Sequence, residues 1–380
     1  MTQGQTGNSK IPGGWKIQRL GEVCSTFKSG NGITSENIFE DGEYAVYGGN
    51  GLRGYTKNYT HDGNYFLIGR QGALCGNIVR VTGKNYISEH AIAVQTNNEN
   101  DNSFLAYKLE FQNLNRLSES SAQPGLSVEK LVRIKILLPP LVEQKAIAHI
   151  LSLMDNVINV NNQLIAQKEL RKKWLMQNLL TGRKRLKGFS GEWKKLGAGE
   201  VFKSVTLKGF ENEELLSATQ DRGIIPRSML EGRVTMPEGS TTGYKLVEPG
   251  DFVISLRSFQ GGLEYSYYRG IVSPAYIVLK PKIQIDEEFY KQYYKSSEFI
   301  GRLAIAVIGI RDGKQISYDD FCTVKIPYPS LEEQTAIAKV LQTADKELQL
   351  LKRKSCQLKE QKKWMTQMLM TGKKRLAIKK

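Results

Sequence analysis

Two stretches of the sequence place arginine and glutamine shortly after an apolar run. In "YFLIGRQGALCGN" these residues are Arg70 and Gln71, and in "GDFVISLRSFQGG" they are Arg257 and Gln260. Arginine suits a bidentate hydrogen bond to guanine and glutamine suits adenine, so the chemistry is that of base recognition in a DNA groove. A buried strand that ends in a glycine-containing turn would project both side chains outward. A solvated loop without a partner explains the same residues, and the local sequence leaves both interpretations open.

A glycine-rich stretch, "GGNGLRG", has the spacing of a dinucleotide-binding loop. Such a loop must follow a strand and open a helix, but the next residues, "YTKNYTHDG", show no helical period. We therefore predict a glycine-rich loop at a sheet edge, which could also lie against a nucleic-acid groove. The polar segments "SSAQPGLS" and "GIRDGKQIS" allow the same two interpretations as the arginine–glutamine pairs. The candidate nucleic-acid contacts in these three stretches, and directly after the first, are Asn50, Arg53, Tyr55, Gln123, Arg311, Lys314 and Gln315.

The sequence lacks the motifs that carry out chemistry on a bound substrate. We find no GxxxxGK[ST] phosphate loop, no GxSxG and no HExxH. We also find no (D/N)PP(Y/F) run, which amino-methyltransferases use to hold a target base. The four cysteines are far apart and there are only three histidines, so a structural zinc site is not expected. We expect a protein that binds its partner without transforming it, with no catalytic residue and no metal.

The positioning elements come from an internal duplication. The segment "KKWLMQNLLTGRKRL" at residues 172–186 returns as "KKWMTQMLMTGKKRL" at residues 362–376, an offset of 190. At the same offset, "IKILLPPLVEQKAIAHILSLMD" matches "VKIPYPSLEEQTAIAKVLQTAD". A weaker match opens each half, around Trp15 and Trp193. The chain therefore alternates between variable and shared regions: 1–140 variable, 141–187 shared, 188–330 variable and 331–380 shared.

Each shared region predicts a strand, a proline stop and one long helix. No proline or glycine interrupts residues 143–181 or 332–371, and apolar residues recur at alternating spacings of three and four. We predict an antiparallel coiled coil between the two copies, with Asn161 fixing the register and with Gly182 and Gly372 as C-terminal caps. The predicted seam comprises Leu151, Met154, Ile158, Asn161, Ile165, Lys168, Lys172, Leu175 and Leu179, with Leu341, Ala344, Leu348, Leu351, Ser355, Leu358, Lys362, Met365 and Leu369.

Most of the positive charge lies in the two helical segments. They carry +6 and +8 of the net charge of +16, which favours a polyanionic partner. The helices carry more apolar surface than their mutual seam covers, which predicts a surface for protein partners. The candidates for that subunit interface are Gln144, Ile147, Trp174, Leu175, Gln334, Ile337, Trp364 and Met365. No apolar run of membrane-spanning length or signal peptide is evident, and the free thiols predict a cytoplasmic protein.

The duplicated helix openings "PPLVEQKAIAHIL" and "PSLEEQTAIAKVL", with the endings "LLTGRKRL" and "LMTGKKRL", resemble the specificity (S) subunits of type I restriction–modification systems. The stretches "DFVISLRSFQGG" and "SPAYIVL" are similar to that family's target-recognition domains. The resemblance covers essentially the whole chain. It implies an α+β protein with two α/β target-recognition domains, separated by two long helices that form an antiparallel coiled coil in a pseudo-two-fold duplication.

The resemblance also implies a function. Each domain would recognise one half of a bipartite, asymmetric DNA target, while the helices set the gap and dock two methylation subunits and, through them, restriction subunits. Adenine-N6 methylation with S-adenosylmethionine and ATP/Mg-driven restriction would then belong to those partners. Matching the family's motifs marks six residues as DNA-facing: Arg70, Gln71, Arg257, Ser258, Phe259 and Gln260. The alternatives are a modification enzyme acting alone, and a stand-alone coiled-coil adaptor or DNA-binding protein without a modification partner.

Overall fold

The computed structural model describes residues 11–72, 74–118, 125–230, 241–256, 258–306 and 316–377. The chain divides into two compact units. Unit 1 comprises Met1–Asn162 and Lys354–Lys380, and unit 2 comprises Gln163–Arg353. Each long helix is therefore shared between both units, whereas the sequence suggested separate helical spacers.

Unit 1 is built around a four-stranded antiparallel sheet of order β2-β8-β5-β6. A three-stranded sheet of order β4-β3-β7 and a two-stranded pair, β1-β9, complete the unit. The strands are β1 (Lys16–Arg19), β2 (Cys24–Ser29), β3 (Tyr44–Gly48), β4 (Gly51–Thr56), β5 (Asn64–Gly69), β6 (Ile78–Thr82), β7 (Asn85–Ile87), β8 (Ala91–Thr96) and β9 (Lys135–Leu138). The helices are α1 (Asn102–Gln112), α2 (Val128–Leu131) and the first part of α3 (Leu141–Leu179).

Strand β5 explains why the main sheet of unit 1 is buried on both faces. Successive side chains of a strand point to opposite faces. Phe66 and Ile68 belong to the core that includes α1, while Leu67 belongs to a second cluster on the other face. Helix α1 is capped by Asp101, whose carboxylate accepts a hydrogen bond from Phe104 N.

Unit 2 repeats this plan with a sheet of order β11-β18-β15-β16 and a pair β10-β19. Two further ribbons, β12-β13 and β14-β17, replace the three-stranded sheet. The strands are β10 (Lys194–Gly197), β11 (Phe202–Val205), β12 (Leu216–Thr219), β13 (Gly223–Pro226), β14 (Lys245–Val247), β15 (Phe252–Ile254), β16 (Glu264–Tyr265), β17 (Gly270–Val272), β18 (Ile277–Pro281) and β19 (Lys325–Tyr328). The helices are α4 (Ala198–Val201), α5 (Ser258–Gly261), α6 (Glu287–Tyr294), α7 (Ser297–Ala306), α8 (Tyr318–Thr323) and α9 (Leu331–Met370), whose last part belongs to unit 1.

Helices α3 and α9 confirm the predicted coiled coil. All the predicted seam positions are buried or half-buried, and most of the positions between them are exposed. In unit 1, Ser355 Oγ donates to Asn162 Oδ1 at 2.9 Å and Lys362 pairs with Asp155. In unit 2, Lys172 pairs with Asp345 and Lys168 pairs with Glu347. Residue numbers rise along one helix as they fall along the other, so the helices are antiparallel in each unit.

Both long helices end as predicted. Gly182 and Gly372 have φ angles of +72° and +69°, a conformation that favours glycine. The backbone N–H of Lys184 then returns to the carbonyl of Asn178, which stabilises the last turn of α3.

Candidate nucleic-acid interface

Several strand ends meet at one end of the main sheet of unit 1. In the sheet register Ser29 faces Ile92, and Gly69 faces Ala91. The end of β2, the end of β5 and the start of β8 therefore lie side by side. We call this region the polar edge of unit 1; it comprises Ser29, Gly49, Asn50, Arg53, Arg70, Gln71, Glu89 and His90.

Arg70 and Gln71 are held in this edge by backbone hydrogen bonds. Arg70 N donates to His90 O at 3.0 Å, and Leu126 N donates to Arg70 O at 2.9 Å. The half-buried Arg70 side chain donates to Ser29 Oγ at 3.3 Å. Gln71 is exposed, and its Oε1 lies 3.3 Å from His90 Nδ1. The sequence therefore identified four members of this edge, Asn50, Arg53, Arg70 and Gln71, but missed His90, which gave no motif signal.

The glycine-rich stretch is the β3–β4 hairpin, as expected for a loop at a sheet edge and unlike a strand–helix cofactor loop. Its Asn50 and Arg53 are exposed, while Tyr55 is half-buried. A Cβ atom at Gly49 would lie 2.6 Å from His90 O, so only glycine allows the turn to pack against the backbone of His90.

The corresponding edge of unit 2 follows β15. Ser255 and Leu256 come next, and then α5. The prediction that Ser258 faces DNA is wrong: its side chain is fully buried, and its Oγ accepts a hydrogen bond from Ser255 N at 2.8 Å. Gln260 is exposed and remains available to a ligand.

Five predicted contacts lie outside the described residues: Gln123, Arg257, Arg311, Lys314 and Gln315. For Phe259 only the backbone, within α5, is described. A nucleic-acid role for these residues stays a prediction.

Four residues proposed for a subunit interface are instead buried in their own unit: Gln144, Ile147, Gln334 and Ile337. The expectation that the two isoleucines present apolar surface is wrong, because each joins the core of its own unit. The Gln144 carboxamide accepts from Asp101 N at 2.9 Å, and that of Gln334 accepts from Asp286 N at 2.8 Å. The amides thus tie the start of each long helix to the N-terminus of α1 or α6.

A buried glutamate completes each helix start. In unit 1, the Glu143 carboxylate accepts two hydrogen bonds of 2.7 Å from Arg375 and one from Trp15 Nε1 at 3.3 Å. In unit 2, Glu333 accepts from Arg185 at 2.6 Å. It also accepts from Trp193 Nε1 at 2.9 Å.

We call these groups the Glu143 cluster (Glu143, Arg375, Trp15) and the Glu333 cluster (Glu333, Arg185, Trp193). The carboxylates raise the pKa of Arg185 and of Arg375 above the usual value, chiefly through these hydrogen bonds. Sequence reasoning missed both clusters, although the shared offset of 190 between both glutamates and between both arginines was a usable signal.

Two of the predicted interface residues are exposed. Trp174 and Trp364 are 45% and 49% accessible, and each carries a lysine ammonium over its ring. The Lys184 Nζ lies 4.8 Å from the Trp174 ring centroid, and the Lys374 Nζ lies 5.4 Å from that of Trp364. Leu175 and Met365 are half-buried and pack against the cores of their units.

A groove of about 520 Å³ lies in unit 2 between α3, α9 and the segment that follows α3. Its floor includes Leu175, Phe189 and Val340, and its charged residues are Lys168, Arg171, Lys172, Lys187, Lys339 and Glu347. In unit 1, the positions that correspond at the offset of 190 to Lys168, Lys339 and Glu347 hold Leu358, His149 and Val157.

Within the described ranges, no group of three or more His, Cys, Asp or Glu side chains is arranged to hold a metal ion. None of the described helices is sufficiently long and apolar to cross a membrane.

Comparison with known proteins places these features in a family. Residues 12–170 and 191–360 each match the type I restriction modification DNA specificity domain. The chain is 42% identical over 148 residues to the type I restriction enzyme EcoprrI specificity subunit of Escherichia coli, an alignment covering 38% of this chain and 37% of that protein. It is 28% identical over 277 residues to the putative MjaX specificity subunit of Methanocaldococcus jannaschii, covering 67% of this chain and 62% of the relative.

The fold has a full-length counterpart among solved structures. The S subunit of a type I restriction–modification system from M. genitalium aligns with a TM-score of 0.64 at 18% identity, covering 96% of this chain and 97% of that one. The chain spans about a third and about three fifths of the two curated relatives above. Because the family match covers most of its residues, this chain belongs to the type I restriction modification DNA specificity family and carries two copies of the domain.

Proposed function

We propose that the chain is the DNA sequence-specificity subunit of a type I restriction–modification complex, in which each unit recognises one half of a bipartite, asymmetric target. The observation that carries this proposal is the repeated sheet, of the same strand order in both units, whose corresponding ends present different side chains. Unit 1 presents Arg70 and Gln71, and unit 2 presents Leu256 and Gln260. Equivalent frameworks with different surface residues suit two different half-sites.

The paired helices are proposed to set the gap between the half-sites and to dock two methylation subunits, which in turn bind restriction subunits. Helices of 39 and 40 residues are about 60 Å long at about 1.5 Å per residue. Their seams are filled by intramolecular pairing, so the surface left for partners is the outer one, with Trp174 and Trp364. S-adenosylmethionine would be bound by the methylation subunits and ATP/Mg by the restriction subunits, so the chain contributes recognition and no catalytic group.

The test is a half-by-half comparison of variants in complex with the methylation subunits. Arg70→Ala should lower the affinity for the preferred duplex by about 1–3 kcal/mol and relax preference in one half only. Gln260→Ala should relax the other half. Lys16→Ala, an exposed lysine in β1, is the matched control and should leave both halves unchanged.

Binding to duplexes randomised in one half at a time measures both effects. A complex that binds all duplexes equally would contradict the proposal and favour a coiled-coil adaptor. If Arg70→Ala weakened specific and unrelated duplexes by the same factor, Arg70 would contact a phosphate and not a base.

A further inference from the structure

His90 lies between a carboxylate and an amide at the polar edge of unit 1. Its Nε2 is 3.2 Å from Glu89 Oε1, and its Nδ1 is 3.3 Å from Gln71 Oε1. The other Glu89 oxygen accepts from Ile33 N at 3.3 Å. Arg70 N donates to His90 O at 3.0 Å, so the histidine backbone is fixed as well. The imidazole and the carboxylate remain partly exposed, with side-chain accessibilities of 47% and 37%.

This arrangement links the charge of His90 to the orientation of the Gln71 amide. An ionised carboxylate only accepts hydrogen bonds, so the ring nitrogen facing Glu89 carries a proton. In a neutral ring, Nδ1 is then an acceptor and must receive the Gln71 N–H, which turns the amide oxygen outward. In a protonated ring, Nδ1 donates to Oε1, which turns the amide NH2 outward. The contact of 3.3 Å between Nδ1 and the Gln71 amide allows either arrangement.

We propose that His90 is a positioning residue that selects which group of Gln71 faces a base pair. The proposal rests on the proposed function, in which this edge faces a DNA groove. With the amide NH2 outward, Gln71 favours a base that presents an acceptor in the major groove, such as guanine O6 or thymine O4. With the oxygen outward, it favours a donor, adenine N6 or cytosine N4. A glutamine held by His90 at one end is not free to bind adenine through both of its groups.

The charged groups of the polar edge are Glu89, Arg70 and Arg53, and of these the structure places the Glu89 carboxylate against the His90 ring. Because His90 selects the outward group of Gln71 through its own charge, a change in that charge changes the preferred base at one position of the half-site bound by unit 1. The half-site bound by unit 2 keeps its preferences.

The experiment selects duplexes from a library randomised in both halves, with the chain in complex with its methylation subunits, at about pH 6 and pH 8. At one position, the ratio of acceptor-presenting to donor-presenting bases should fall about fivefold to tenfold from the lower to the higher pH, as expected for one hydrogen bond. His90→Gln should abolish the shift while the other positions keep their preferences. His149→Gln, which replaces an exposed histidine on α3, should keep it.

Gln71→Ala distinguishes this proposal from the proposed function. If Gln71→Ala relaxes one position but the wild type shows no shift with pH, or if the shift survives in His90→Gln, the positioning role of His90 is overturned and DNA recognition stands. If no variant or condition shows any preference in either half, the proposed function itself fails.

Discussion

The two units keep the same contacts at the starts of the long helices. They differ in the side chains of the helix that contacts each start, which is α1 in unit 1 and α6 in unit 2. Gln144 and Gln334 accept equivalent backbone hydrogen bonds, and the Glu143 and Glu333 clusters have the same composition. In contrast, α1 of unit 1 carries Lys108, which is 5% exposed and donates through Nζ to Met370 O at 2.5 Å. In unit 2, α6 carries the fully buried Tyr293, for whose hydroxyl the structure shows no partner among the residues it describes.

This comparison separates what the duplication preserves from what each unit has changed. The preserved contacts join the repeated segments, so each unit needs both helices to be complete: the end of α9 packs into the core of unit 1, and the end of α3 packs into that of unit 2. The altered contacts lie in the cores, at the polar edge of unit 1 and at the corresponding edge of unit 2. Three predictions test how far the units are equivalent.

The largest effect is expected at the Glu333 cluster. Arg185→Met leaves the buried Glu333 carboxylate without its cation, which should lower the free energy of unfolding of unit 2 by about 3 kcal/mol, the low end of the usual range because Arg185 is partly exposed. Arg375→Met should cost unit 1 less, since Arg375 is 43% exposed against 23% for Arg185. Hydrogen exchange of the β10–β19 and β1–β9 peptides measures each unit separately. Equal losses in both units would show that the exposure of the arginine does not matter.

The sequence predicted the helices, their seam and their caps because those features depend on local periodicity and on glycine. It failed for Ile147 and Gln144 because their partners lie elsewhere in the chain: α1 contacts the start of α3, and Asp101 is 43 residues from Gln144. The repeat marked Glu143 and Arg375 as shared residues, but their pairing follows from the antiparallel register and not from sequence proximity. Ser258 was misassigned because the resemblance marked the whole stretch from Arg257 to Gln260, whereas the Ser258 hydroxyl accepts a hydrogen bond from Ser255 N inside the fold.

A smaller effect is expected from Lys108. Burial lowers its pKa to about 8, below that of an unfolded lysine. Between these two values the unfolded chain binds more protons than the folded one, so Lys108 makes unit 1 more stable as the pH rises. The gain should be about 2 kcal/mol between pH 7 and about pH 9.5, and Lys108→Met should remove it.

The measurement is urea unfolding monitored by pulse alkylation of Cys75, which is buried in unit 1. Burial raises the pKa of Cys24 to about 12, which opposes the gain above about pH 9. That contribution is the same in the wild type and in Lys108→Met, so it cancels in their difference. Tyr293→Phe in unit 2 is the matched control and should show no such difference. An alkaline gain that persists in Lys108→Met would assign the effect to another group.

The smallest effect is expected at the outer helix surfaces, and it rests on the proposed docking of two methylation subunits. In the unit 2 groove Lys168 pairs with Glu347, so the charge that this groove adds for a partner is that of Lys339, whereas the corresponding positions of unit 1 hold Leu358, Val157 and His149. A partner with acidic side chains would therefore bind unit 2 partly through charges, which salt screens, and unit 1 mainly through apolar contacts, which salt does not weaken.

Raising the salt from about 0.1 M to about 0.5 M should release the methylation subunit on unit 2 first. Lys339→Ala should weaken the binding of that subunit at low salt by only about twofold to fivefold. Sedimentation velocity measures the number of methylation subunits bound. Leu153→Glu, on the exposed outer face of α3 in unit 1, identifies which subunit remains at high salt. This variant should release the subunit that salt does not release. If both subunits dissociated at the same salt concentration in the wild type and in Lys339→Ala, the different surfaces of the two units would have no bearing on assembly.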